Sequence, residues 1–145
     1  MHNARIDSTQ DLEGQWVVSA CFDLGAEEVE AAVHAVRSIG SERYRIADLS
    51  ADDVLQLREL TAIADELAEP GAGMRTVVLS PARLATFRHA VDGFVETRTY
   101  ADWIRDEDRG PLELMRAIAP ALEQLCEEAF RAALTPGERR AGRAH

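Results

Sequence analysis

The sequence predicts an α+β fold, predominantly helical: a small two- or three-stranded sheet covered by four or five helices, the last one long and kinked. Three observations carry this. Apolar residues recur at three- and four-residue spacing over most of the chain. Period-two alternation is confined to short stretches. Gly and Pro separate the periodic segments. Leu, Ile, Val and Phe number 34 among 145 residues, enough for collapse despite a formal charge of −10. A single domain of this length buries roughly 68–70% of its unfolded surface, so no disulfide or metal is needed to hold a core.

Residues 1–14 read as a polar lead-in, residues 15–134 as one domain, and residues 135–145 as a disordered basic tail. From Trp16 to Phe22 the even positions are apolar and Ser19 and Cys21 alternate with them, which suits a strand. Val29, Ala32, Val33 and Val36 form the stripe of a first helix that opens with acids and stops at Gly40. Tyr44 and Ile46, alternating with arginines, suggest a short edge strand or an extended connection. Ser50, three residues before Asp53, caps a second helix carrying Val54, Leu57, Leu60, Ala64 and Leu67. That helix ends at Pro70-Gly71.

Thr76–Leu79 is the other firm strand, and Ser80-Pro81 supplies the cap and first position of a third helix through Leu84, Phe87, Val91 and Phe94. A polar interval comes next, in which Thr99 with Asp102 could cap a short helix through Trp103. Apolar periodicity resumes at Leu112 and runs to Leu134; Pro120 must kink or divide it, because its ring displaces the amide that would bond the Arg116 carbonyl. A three-layer α/β fold would need longer apolar strands, and an all-helical bundle is the remaining alternative.

Composition narrows the function. All 16 basic residues are Arg, which removes Schiff-base lysine chemistry and the phosphate lysines of P-loops and kinases. Arg without Lys, 24 Ala and a single Asn point to a GC-rich bacterial coding sequence. The acidic balance disfavours nucleic acid, whose binding begins from a basic face. Arg139, Arg140 and Arg143 collect in the tail, which reads as solvated terminus. Cys21 and Cys126 have no CxxC partner and no His at ligand spacing, so free thiols in a cytoplasmic protein are expected. No signal peptide or membrane span is expected.

No dinucleotide fingerprint, nucleophile elbow or HExxH motif occurs. A calcium loop with its sixth-position glycine at Gly110 would require an oxygen ligand at Arg105. Glu30 with His34, and His89 with Asp92, have helical ligand spacing, but two ligands do not make a site and solvated pairs of this kind are common. Ser19, Ser41 and Ser80 lack a nearby base in the sequence. No catalytic residue, metal ligand or cofactor is therefore assigned.

Two surfaces are assigned. Arg98, Tyr100, Asp102, Trp103, Arg105 and Arg109 bring aromatic and guanidinium groups together between two periodic helices, as candidate contacts to a partner or anionic ligand. The competing expectation is a connection whose Trp103 and Ile104 tuck under the domain. In the last helix the apolar residues exceed one stripe, so either helices two and three flank it on both sides or a second copy does, with Leu114, Ile118, Leu125 and Phe130 as the candidate seam of a homodimer.

The function expected first is a non-enzymatic protein–protein interaction or regulatory domain, with a second copy of the chain as one partner and no nucleic acid or membrane. The alternatives are an acidic inhibitor or immunity-type protein drawn electrostatically to a basic partner, and a small anionic ligand binder or enzyme using residues 96–109.

Overall fold

The computed structural model describes residues 1–45, 48–71 and 73–134. The chain runs β1 (His2–Gln10), β2 (Trp16–Leu24), α1 (Ala26–Tyr44), α2 (Ala51–Ala68), β3 (Arg75–Leu79), α3 (Pro81–Thr99) and α4 (Asp106–Leu134). The three strands form one antiparallel sheet in the order β1-β2-β3. This is the α+β architecture expected, with three strands and four helices.

Period-two burial makes β2 the centre of the sheet. Val18, Ala20, Phe22 and Leu24 point inward with Val77 and Leu79 of β3, while Val17 and Val78 remain exposed on the other face. The Phe22 and Phe87 rings stack at 6.2 Å and tie the sheet to α3. All four helices contribute buried residues to the same core. On α4 these fall at Leu112, Met115, Ile118, Leu122, Leu125 and Ala129, a three- and four-residue rhythm that keeps one face inward.

Three elements differ from the sequence expectation. The polar lead-in is largely strand β1, an edge strand exposed along nearly its whole length, with Ile6 half-buried opposite Ala20. An edge strand that buries so little carries no alternation to read. Its hairpin is closed by Asp11, whose Oδ1 accepts from the amides of Glu13 and Gln15, and by Gly14 at φ +78°. Of the edge strand expected at Tyr44 and Ile46, Tyr44 ends α1, which continues through Gly40 and is held to α3 by the Glu42–Arg98 ion pair at 2.5 Å, while Ile46 lies outside the described residues.

The short helix expected to end at Trp103 is absent. Residues 96–99 complete α3, and the Thr99 hydroxyl accepts from Arg116 at 2.9 Å instead of capping a new helix. Helix α4 starts at Asp106 and is undivided through Pro111 and Pro120. Pro120 and Arg116 are both exposed, so water reaches the carbonyl that the ring leaves without an amide. The basic tail expected at 135–145 lies outside the described residues.

A single side chain closes the turn between α2 and β3. Arg75 Nη1 donates to the carbonyls of Glu66 and Leu67 at 2.8 and 2.6 Å, and Nη2 donates to that of Glu69, so one guanidinium satisfies the C-terminus of α2. A Cβ at Gly71 would stand 2.7 Å from Arg75 Nη2, so a larger residue there would push the end of the arginine aside. Among the described residues no helix is long and apolar enough to cross a membrane.

Candidate ligand cleft

A cleft of about 1000 Å³ runs along one face of α1. Ala26, Val29, Glu30, Val33, His34, Arg37, Ser38, Ser41, Glu42 and Arg45 follow one another at helical spacing and form that wall. Facing it are the end of α2 with the turn closed by Arg75, and the segment from Thr97 to Asp108. The volume lies at the upper end of the range usual for small-molecule sites.

Four ionisable side chains from three helices meet in this cleft. Asp108, in the first turn of α4, is 6% exposed and is the one buried polar residue among those described. His34 Nε2 stands 2.6 Å from its Oδ1, and Arg98 Nε donates to its Oδ2 at 3.3 Å. Arg98 Nη2 pairs in turn with Glu42, so the chain of contacts passes from α1 to α4 to α3 and back to α1. Phe94, fully buried, packs beneath it: the Arg98 guanidinium lies 4.7 Å from the ring centroid and the His34 ring meets it edge-on at 5.8 Å.

Burial pushes the Asp108 carboxyl toward its neutral form, but the His34 hydrogen bond and the Arg98 charge outweigh it and hold the group below the ordinary carboxylate range. Burial likewise works against the Arg98 charge, and Glu42 and Asp108 more than restore it. Asp108 therefore stays ionised with both oxygens occupied, and a buried charge in this state is compensated. Its partners face outward to different degrees: the His34 side chain is 33% exposed and that of Arg98 14%.

Of the six contact residues chosen from the sequence, Arg98, Trp103 and Arg105 line the cleft. Trp103 is 74% exposed, and Ile104 beside it packs on the core. The tucked arrangement is thus realised by Ile104 and not by Trp103. Tyr100 and Asp102 are exposed outside the cleft lining, and Arg109 pairs with Asp106 on the outside of α4. Of the seam residues, Ile118 and Leu125 are buried in the chain's own core and Leu114 packs partly against it, while Phe130 is 64% exposed. Ile118 and Leu125 therefore present no surface to a second copy.

His34, Asp108 and Glu42 are the cleft residues that the sequence reading did not assign. One signal for Asp108 was present: it lies one turn before Leu112 on the apolar stripe of α4. His89 is exposed on α3, and no group of three or more His, Cys, Asp or Glu side chains able to hold a metal occurs among the described residues.

No family model, characterised protein or solved structure matches the chain.

The cleft lining is richer in arginine than the chain as a whole, and its formal charges balance. Five of the sixteen arginines line it (Arg37, Arg45, Arg75, Arg98 and Arg105), against five of the twenty-six acids. Arg75 is committed to the α2 carbonyls and Arg98 to its two acids. Arg37 and Arg105 make only long pairs, at 3.5 Å to Asp65 and 3.7 Å to Glu107, and are more than half exposed. Guanidinium groups in this state can turn to a carboxylate or phosphate, and the exposed Trp103 ring can cover a planar or apolar body.

Proposed function

We propose that the chain binds a small anionic molecule in the cleft along α1. The observation that carries this reading is Asp108: a buried, ionised carboxylate whose two partners, His34 and Arg98, both line the cleft. A network built only to join helices gains nothing from lying against a large open volume. A binding cleft needs a few fixed polar groups among apolar walls, and Val29, Val33 and Ile104 provide such walls. The relative wealth of arginine selects an anion within a chain whose overall charge would otherwise repel one.

The test is fluorescence of Trp103 in a Trp16→Phe background, with small carboxylates and phosphate esters added singly, alongside thermal melts. A ligand present at a hundred times its Kd adds about 2.7 kcal/mol of stability. For a domain of this size that raises Tm by several degrees. A set of such anions that changes neither Trp103 emission nor Tm would remove the proposal.

The competing reading is the protein–protein interaction domain, including self-association. Val17 and Val78 on the open sheet face and Phe130 on α4, all exposed, favour it. Light scattering of the full chain tests its self-association form: a monomer at high micromolar concentration removes that form, and a dimer weakened by Phe130→Asp supports it.

A further inference from the structure

The tautomer of His34 is set by its partner. An ionised carboxylate only accepts hydrogen bonds, and Arg98 already donates to Oδ2, so the proton of the contact at Oδ1 sits on His34 Nε2. A neutral imidazole carries one N–H, so Nδ1 is then a bare lone pair. No group among the described residues hydrogen-bonds Nδ1. The ring is one-third exposed and lines the cleft. The Phe94 edge contact and the Asp108 bond together fix the ring plane.

We propose that His34, oriented by Asp108, is the proton acceptor of the cleft: its Nδ1 removes a proton from a molecule bound there. This rests on the reading of the cleft as a binding site. In the step, the O–H, N–H or C–H bond of the bound molecule breaks, its electron pair stays on that molecule, and the proton forms a new N–H bond at Nδ1. The imidazolium that results lies against the Asp108 carboxylate, which stabilises it as a buried orienting acid does in hydrolytic triads. Return of the proton to another atom of the same molecule, or to water, regenerates the ring without any further reactant. Asp108 and Arg98 are positioning residues in this scheme. Charged groups that also line the cleft include Glu30, Arg37 and Glu42 on α1, Arg105 in the connecting segment and Glu107 on α4.

Two measurements on the full chain test this, and neither needs the natural ligand. Long-range proton–nitrogen NMR of the histidine rings reports which nitrogen is protonated in the neutral form. His34 is expected as the Nε2–H tautomer in the wild type, with that preference lost in Asp108→Asn, whose amide can either donate or accept. The second is para-nitrophenyl acetate, which reads the same lone pair as a nucleophile. Nδ1 bonds the acetyl carbon, para-nitrophenolate leaves with the ester electron pair, and water cleaves the acetylated ring to acetate.

His34→Gln keeps a donor toward Asp108 and is expected to lose the His34 share of the release rate. The other three histidines, His2, His89 and His145, and the two thiols contribute equally in both proteins. A protonated Nδ1 in the neutral ring, or equal release rates in wild type and a folded His34→Gln protein, would overturn the inference. Failure of every anion to move Trp103 while both of these results hold would instead count against the ligand reading alone.

Discussion

His34 and Asp108 are 74 residues apart in sequence, and their side chains meet at 2.6 Å where α1 crosses the start of α4. The contact joins the most buried acid among the described residues to a partly exposed imidazole, and Arg98 completes it from α3. One carboxylate thereby fixes three helices and sets the polar end of the cleft. Its removal should be felt both in stability and at the surface.

Asp108→Ala leaves Arg98 with Glu42 alone and His34 without its acceptor. Removing one partner of a buried charged pair destabilises by about 3 kcal/mol. In a domain of this length that lowers Tm by roughly 6–12 °C. Calorimetry of the two proteins checks it, and a Tm within a degree of wild type would show that the network contributes little.

The pH dependence has a definite sign. The Asp108 carboxyl is held below its unfolded value, about 3.9 for a free side chain, so its contribution is complete above that value. It is lost as the pH falls through the folded value. Urea midpoints should therefore decline on acidification below about pH 4. In Asp108→Asn the decline should be shallower, since that site no longer takes up a proton. Parallel declines in the two proteins would contradict the assignment of acid sensitivity to this site.

Trp103 is exposed, so Trp103→Ala should change stability by no more than about 0.5 kcal/mol. Its effect belongs to binding. An anion that raises the Tm of the wild type should raise that of Trp103→Ala less, and an unchanged shift would remove Trp103 from the site.

On α4, Leu125 and Phe130 should behave oppositely. Leu125→Ala opens a cavity in the core and is expected to cost about 2–5 kcal/mol. Phe130→Ala removes an exposed ring and should cost about 0.5 kcal/mol or less in the monomer. A concentration-dependent Tm in the wild type that disappears in Phe130→Ala would show that this end of α4 meets a second copy.

The elements whose burial follows a period were legible in the sequence. The alternation from Trp16 to Phe22, the Ser50 and Ser80 caps and the stripe of α4 each report a face that must leave water. Strand β1 was not legible, because it buries only part of Ile6 and is held by backbone pairing that any polar sequence can make. The Thr97–Asp108 wall was half legible: aromatic and guanidinium side chains marked Trp103 and Arg98, but helix ends decide that Tyr100 and Arg109 face elsewhere. The His34–Asp108 contact depends on how α1 and α4 cross, which no local pattern encodes. What the sequence did contain was an acid on an apolar stripe, and an acid in that position requires a partner.

The most direct test of the cleft is side-chain NMR of the histidine and tryptophan rings as inorganic phosphate, then small carboxylates, are added to the full chain. An anion-binding cleft predicts that the His34 and Trp103 resonances move together and saturate with at least one of these anions while His89 stays fixed. Resonances of His34 and Trp103 that stay in place throughout, or that move only in step with His89, would contradict it.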